Sequence, residues 1–180
     1  MQVVSITAHP DVAAACAQAN GLLHNPVFFD AIAAHAPFDQ DAHGTPATAT
    51  PAQISALMQG LALVFQVDMF VPHGLLQKTK YHKTQAYTDP AQPNTLFLNG
   101  TWIAQQAPST AELAATIIHE CVHAANTADP DPAHEFGHGD NSSKGKDNTA
   151  PYWIGSYAYS LLSGQPMAAL VFDDDAEMVA

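Results

Sequence analysis

Apolar residues recur along the chain with a two-residue spacing in some segments and a helical spacing in others. Residues 63–71 alternate apolar and polar positions, which predicts a strand with one buried face. The shorter segments 2–7, 82–88 and 95–100 predict three further strands, and Gly100 ends the last of them. Four strands of this length are enough for one small sheet.

Helical spacing and capping signals predict five helices. Ser109 and Glu112 match a capping box, and the helix after them carries an apolar stripe and ends near Asn126. Thr50 and Gln53 give the same signal for a shorter helix that ends near residue 60. The other three helices are predicted at residues 11–24, 27–35 and 149–163.

The length and composition predict one globular domain. The chain has 180 residues, of which 47% are hydrophobic and 12% are charged. Helices and strands are mixed along the chain, which indicates the α+β class. Within a single domain over 1–180, we expect a helical N-terminal part over 1–60, a core that carries the chemistry over 61–165, and an acidic tail over 166–180.

The charge balance is strongly acidic. Five Lys and Arg residues stand against 17 Asp and Glu residues, which gives a formal net charge of −12. Such a chain repels phosphate backbones, so we expect no nucleic-acid partner. Two cysteines make no disulfide framework, and no apolar run approaches the ~20 residues of a membrane span. Without a recognisable secretory signal, the expectation is a cytoplasmic protein, or one exported by a system that needs no cleaved signal.

Residues 119–123 read H-E-C-V-H and match the motif H-E-x-x-H. His119 and His123 are four residues apart on the predicted helix, so both imidazoles can reach one ion. Glu120 can then take a proton from a water molecule on that ion, because zinc lowers the pKa of such a water to about 7. Cys121 lies on the apolar stripe, where it is expected to be a small buried residue. The motif therefore predicts a zinc site with Glu120 as general base.

With this motif, residues 60–165 resemble the zincin metallopeptidases, in which strands precede a helix bearing H-E-x-x-H and a further ligand follows. The resemblance implies hydrolysis of a peptide bond, with His119 and His123 on zinc and Glu120 as the base. It also implies a small, twisted, mainly antiparallel sheet packed on the active-site helix, with additional helices at both ends of the chain. An extended protein or peptide substrate would bind along an edge strand, for which Thr95–Asn99 is our candidate.

The third metal ligand is not fixed by the motif. Residues 134–141 hold four side chains that can bind a metal, and this Gly-containing loop is similar to the one from which aspzincins take an aspartate. We expect His138 to be the ligand, because the glycines on either side let the backbone approach and turn sharply. Asp140 is the alternative, and His134 and Glu135 are further candidates.

Other interpretations of the sequence stay open. Tyr152 or Tyr157 in the last helix could donate a hydrogen bond to a developing oxyanion, or both could pack behind the active-site helix. The metal could instead stabilise a non-catalytic binding module, which predicts four protein ligands. Residues 8–11 are similar to the start of a zinc deacetylase motif, although its further acidic residues are missing. The small size also fits a bacterial effector delivered into another cell.

Overall fold

The computed structural model describes residues 1–74, 77, 79, 81, 85–89, 91–138 and 144–167. These residues include four strands and six helices with defined bounds. In chain order they are β1 (Gln2–Ser5), α1 (Pro10–Leu23), α2 (Pro26–Ala33), α3 (Pro51–Gly60), β2 (Val64–Phe70), β3 (Ala86–Asp89), β4 (Gln92–Asn99), α4 (Gly100–Gln106), α5 (Thr110–Thr127) and α6 (Ala150–Ser163). The α+β class is thereby confirmed.

The helix predictions are confirmed at their start signals. Ser109 Oγ accepts from the Glu112 N–H (3.2 Å), and the Glu112 carboxylate accepts from the Ser109 N–H (2.6 Å), so the capping box of α5 is complete. Thr50 and Gln53 form the matching box at α3. The short helix α4 was not predicted. Its signal is Asn99, whose side chain accepts from two backbone N–H groups at the start of α4.

The four strands form one mixed sheet in the order β1-β2-β4-β3. β2 pairs in parallel with both β1 and β4, and only the β3–β4 pair is antiparallel. The expectation of a mainly antiparallel sheet is therefore wrong. The connection between β1 and β2 runs through three helices, and a long crossover of that kind joins parallel neighbours. This explains why β1 and β2 pair in parallel.

The sheet topology also corrects the predicted edge strand. β4 is hydrogen-bonded to β2 on one side and to β3 on the other, so Thr95–Asn99 lies inside the sheet. The predicted strand at 82–88 is found as β3, although residues 82–84 lie outside the described ranges. Among the described strands, β3 and β1 form the two edges.

One of these edges is closed by a side chain. Asn20 in α1 donates from Nδ2 to the Val3 carbonyl oxygen (2.7 Å) and accepts from the Val3 N–H at Oδ1 (2.8 Å). This amide bonds the outer backbone groups of Val3 as a neighbouring strand would. The outer edge of β1 is thus partly occupied by the protein itself.

Helices cover one face of the sheet, and the core lies between them. Phe65 and Val67 of β2 and Leu96 and Leu98 of β4 are fully buried on that face. They belong to one apolar cluster with Ile117 of α5. Helix α5 also packs against α1 and α6, so the predicted active-site helix is the central helix of the fold. No helix in the described ranges has both the length and the apolarity needed to cross a bilayer.

Candidate metal centre

Helix α5 brings the two motif histidines together. His119 is fully buried and His123 is half-buried, and their Nε2 atoms are 3.3 Å apart. The cause is the four-residue spacing, which puts both side chains on one side of the helix. The capping box at Ser109 fixes the residue at which α5 begins.

The third imidazole comes from the segment after α5. His138 is half-buried, and its Nε2 atom is 3.0 Å from His123 Nε2 and 3.3 Å from His119 Nε2. The three Nε2 atoms therefore form a nearly equilateral triangle. Of the four candidates for the third ligand, His138 is the one that the described residues bring to the motif.

The dimensions of this triangle fit a metal ion. Zinc–nitrogen bonds of 2.0–2.1 Å at tetrahedral angles put neighbouring nitrogens about 3.3 Å apart. The observed separations of 3.0–3.3 Å match that value closely. A neutral imidazole offers one ring nitrogen as a metal ligand, so three such nitrogens at these distances suit a shared ion. His119, His123 and His138 can thus hold a metal ion, and imidazole ligands suit zinc, copper, iron and nickel.

Tyr152 of α6 forms one wall of the cluster. Its ring is 4.8 Å from the His119 ring in an edge-to-face arrangement and 4.9 Å from the His138 ring. The side chain is 1% exposed, so it is part of the buried surroundings of both imidazoles. Tyr157, the other tyrosine considered, stacks on Phe28 at 5.7 Å. Of the two, Tyr152 is therefore the one in contact with the histidines.

Glu120 is also buried, with 9% of its surface exposed, and it follows His119 directly on α5. Its neighbour Cys121 is fully buried, and burial raises the pKa of the Cys121 thiol, with a smaller contribution from the negative charge of Glu120. A buried thiol with a raised pKa is a poor nucleophile. The expectation that Cys121 packs as a small apolar residue is confirmed.

The other candidates that the structure describes make different contacts. His134 bonds Asp129, with Nδ1 and Oδ2 3.0 Å apart, and Glu135 is exposed. Asp140, the alternative third ligand, lies outside the described residues. His9 belongs to the segment that is similar to deacetylases, and its Nδ1 atom lies 3.9 Å from Asp11 Oδ2. It is not part of the cluster of His119, His123 and His138.

Residues 129–138, here called the third-ligand arm, are tied to two positions that the sequence analysis did not select. Asn126 of α5 accepts from the Phe136 N–H at 2.9 Å. Thr48 exchanges hydrogen bonds with Glu135, since the Thr48 N–H donates to the Glu135 carbonyl oxygen (3.0 Å) and the Glu135 N–H donates to Thr48 Oγ1 (2.6 Å). Asn126 is three residues after His123, so it lies on the same side of α5 as that ligand. This spacing is the sequence signal that could have identified Asn126. Thr48 offers no comparable signal, because its partner is 87 residues away.

No protein-family model, curated protein or solved structure matches the chain. The resemblance to zincins therefore consists of the motif at 119–123, its place on a central helix and the third histidine downstream. A functional assignment has to rest on the chemistry of this cluster.

Proposed function

We propose that the protein is a zinc-dependent hydrolase that cleaves a peptide bond in a protein or peptide. The observation that carries this proposal is the triangle of Nε2 atoms, 3.0–3.3 Å on each side. Two of its three histidines lie on the helix that also bears Glu120. A catalytic zinc takes three protein ligands and keeps one position for water or substrate. His119, His123 and His138 supply that number of ligands.

Zinc is the metal we propose because three neutral imidazoles form one of its common catalytic ligand sets. When bound, zinc would polarise the substrate carbonyl and lower the pKa of water to about 7. The two half-buried histidines, His123 and His138, lie toward solvent, whereas His119 is enclosed. This gradient of burial supports access to the centre from one side.

Glu120 is proposed as the general base that takes the proton of the attacking water. It directly follows a ligand on α5 and is largely shielded from solvent, and shielding strengthens electrostatic interactions with reacting groups. Tyr152 packs on two of the three imidazoles, so it restricts their ring orientations. We further propose that its hydroxyl stabilises the developing oxyanion.

The substrate is proposed to bind as an extended strand along β3. The Asn99 N–H donates to the Gln85 carbonyl oxygen, and pairing alternates in an antiparallel ladder, so Ala86 and Thr88 direct their backbone groups away from β4. Gln85 Nε2 donates to Thr116 Oγ1 on α5 at 2.9 Å, a buried contact. Thr116 is four residues before Glu120, about 6 Å along the helix. The outer edge of β3, an edge among the described strands, therefore begins close to the motif.

The decisive experiment compares Glu120→Gln with the wild type and with Glu135→Gln, a matched control on an exposed carboxylate. Wild type and both variants should bind about one zinc ion per chain. Peptidase activity on an unstructured protein substrate should fall about 10²- to 10⁴-fold in Glu120→Gln and stay unchanged in Glu135→Gln, as expected for loss of a general base.

Full activity in Glu120→Gln would remove Glu120 from the mechanism. A wild-type protein that binds zinc but cleaves no peptide bond would contradict the proposal. That result would support the alternative of a binding module with a structural metal.

A further inference from the structure

The third-ligand arm places His138 through contacts made several residues before it. The Phe136 side chain is fully buried in the apolar core, and its N–H donates to Asn126 Oδ1 at 2.9 Å. Asn126 stands one turn after His123 on α5. A single side chain thus connects the helix that carries two ligands with the backbone two residues before the third.

Thr48 holds the same segment through a second set of hydrogen bonds. Thr48 Oγ1 donates to the Ala133 carbonyl oxygen (2.6 Å) and accepts from the Glu135 N–H (2.6 Å), and the Thr48 N–H donates to the Glu135 carbonyl oxygen (3.0 Å). One threonine therefore engages three backbone groups of the arm. The segment before α3 acts here as a short pairing partner of the arm.

His134 adds a further contact between α3 and the arm. The Thr50 N–H donates to Gln53 Oε1 at 2.8 Å, which fixes the amide so that Gln53 Nε2 faces His134 Nε2 at 3.2 Å. The other ring nitrogen, His134 Nδ1, lies 3.0 Å from Asp129 Oδ2. The imidazole therefore bridges α3 and the arm.

We propose that Asn126 and Thr48 are positioning residues that hold the arm in its metal-binding conformation and thereby set the metal affinity of the centre. The proposal rests on the proposed metal site and goes beyond it by assigning its affinity to two residues that do not touch the ion. A ligand on a loosely held segment loses conformational freedom when it binds, whereas a held ligand has already lost it. Residues that orient metal ligands typically change affinity 10- to 100-fold when removed.

The test measures zinc affinity by chelator competition on the full chain. Asn126→Leu should raise the Kd 10- to 100-fold and Thr48→Val about tenfold. Thr48→Ser keeps the hydroxyl and should bind zinc like the wild type. Thr45→Val is the matched control, because the Thr45 hydroxyl makes one exposed hydrogen bond to Asp41, away from the arm.

Amide exchange of the zinc-free protein provides a second readout at the two bonds themselves. Thr48→Val should speed exchange of the Glu135 amide at least tenfold, and Asn126→Leu should do the same for the Phe136 amide, because each amide loses its acceptor. This measurement needs neither zinc nor activity.

Folded Thr48→Val and Asn126→Leu proteins with wild-type zinc affinity would overturn the inference, as would an equal loss in Thr45→Val. If Asn126→Leu does not fold, the Thr48 series alone decides. A wild-type protein that binds zinc and hydrolyses nothing refutes the proposed function. The present inference is then still decided by the zinc affinities of the Thr48 and Asn126 variants. If the wild type binds no zinc, both proposals fail.

Discussion

At the scale of single residues, two buried side chains on α5 have different surroundings and therefore suit different roles. His119 is enclosed, yet its Nε2 atom meets two other imidazole nitrogens at 3.3 Å. Cys121, two residues on, is equally enclosed, but its thiol lies in the apolar cluster. The first arrangement suits a ligand and the second suits packing, because a soft metal ligand needs a deprotonated sulfur.

The two cysteines yield a prediction about pH. Burial raises the pKa of the Cys16 thiol from its ordinary 9.0 to about 11, and it raises that of Cys121 further. Both thiols therefore stay protonated at pH 8, and reaction with a disulfide reagent should be slow in the native protein and rapid in denaturant. Native reactivity should increase only as the pH rises toward 11. Two fast thiols in the native protein at pH 8 would contradict this account.

The raised pKa of Cys16 also predicts the direction in which the free energy of unfolding changes with pH. Since the folded pKa of Cys16 lies above its unfolded value of 9.0, its contribution to the free energy of unfolding is complete below pH 9. That contribution is lost as the pH rises from 9 to about 11. The direction follows because the folded chain keeps a proton that the unfolded chain has released.

At the scale of elements, the sequence was most informative where the signal is local. The capping boxes at Thr50 and Ser109 predicted the starts of α3 and α5, because both partners lie within one helical turn. The choice of His138 also followed from local chain geometry, since a Gly-flanked histidine close to the motif can turn back toward it.

Long-range arrangements could not be predicted in the same way. The sheet order depends on how β2 pairs with one strand before it and one strand after it in the sequence, and no residue within β4 indicates that it has two neighbours. The position of the arm likewise depends on Thr48 and Asn126, whose partners are 87 and 10 residues away. Alternation and capping describe one element at a time, so they leave such contacts undetermined.

The outer edge of β3 yields a prediction at this scale. Thr88→Pro removes an outward N–H from an edge strand, where proline is tolerated. If substrates pair with β3, the KM for an extended peptide should rise about tenfold, which corresponds to the loss of roughly one hydrogen bond. Zinc affinity should not change. Thr88→Val is the control with an intact N–H, and identical KM values for the two variants would contradict substrate pairing at this strand.

At the scale of the whole molecule, the metal centre joins parts that are far apart in sequence. His119 and His123 come from α5, His138 comes from the arm, and the Tyr152 wall comes from α6. The arm in turn is bonded to the segment before α3. An ion bound at this junction would connect the C-terminal half of the described chain with its N-terminal helical part.

Metal binding should therefore stabilise the entire fold. A ligand that binds only the folded state adds about 2.7 kcal/mol at a free concentration of 100 Kd. For a chain of this size, that gain corresponds to a rise in Tm of about 5–11 °C. Calorimetry with zinc and with a chelator measures the difference, which should vanish in His138→Ala and persist in His43→Ala, a variant of an exposed histidine. An equal response of the two variants would place the ion elsewhere.

The parallel pairing of β1 with β2 also constrains the order of events during synthesis. Gln2 is the register partner of Val64, so β1 cannot pair with β2 until about sixty further residues have been made. Closing so long a loop is slow compared with forming the intervening helices. Until then, the Asn20 amide, which is close to β1 in sequence, is a native contact within reach of β1. The segment from β1 to β2 would form its helices first and its strand pairing only after β2 has been made.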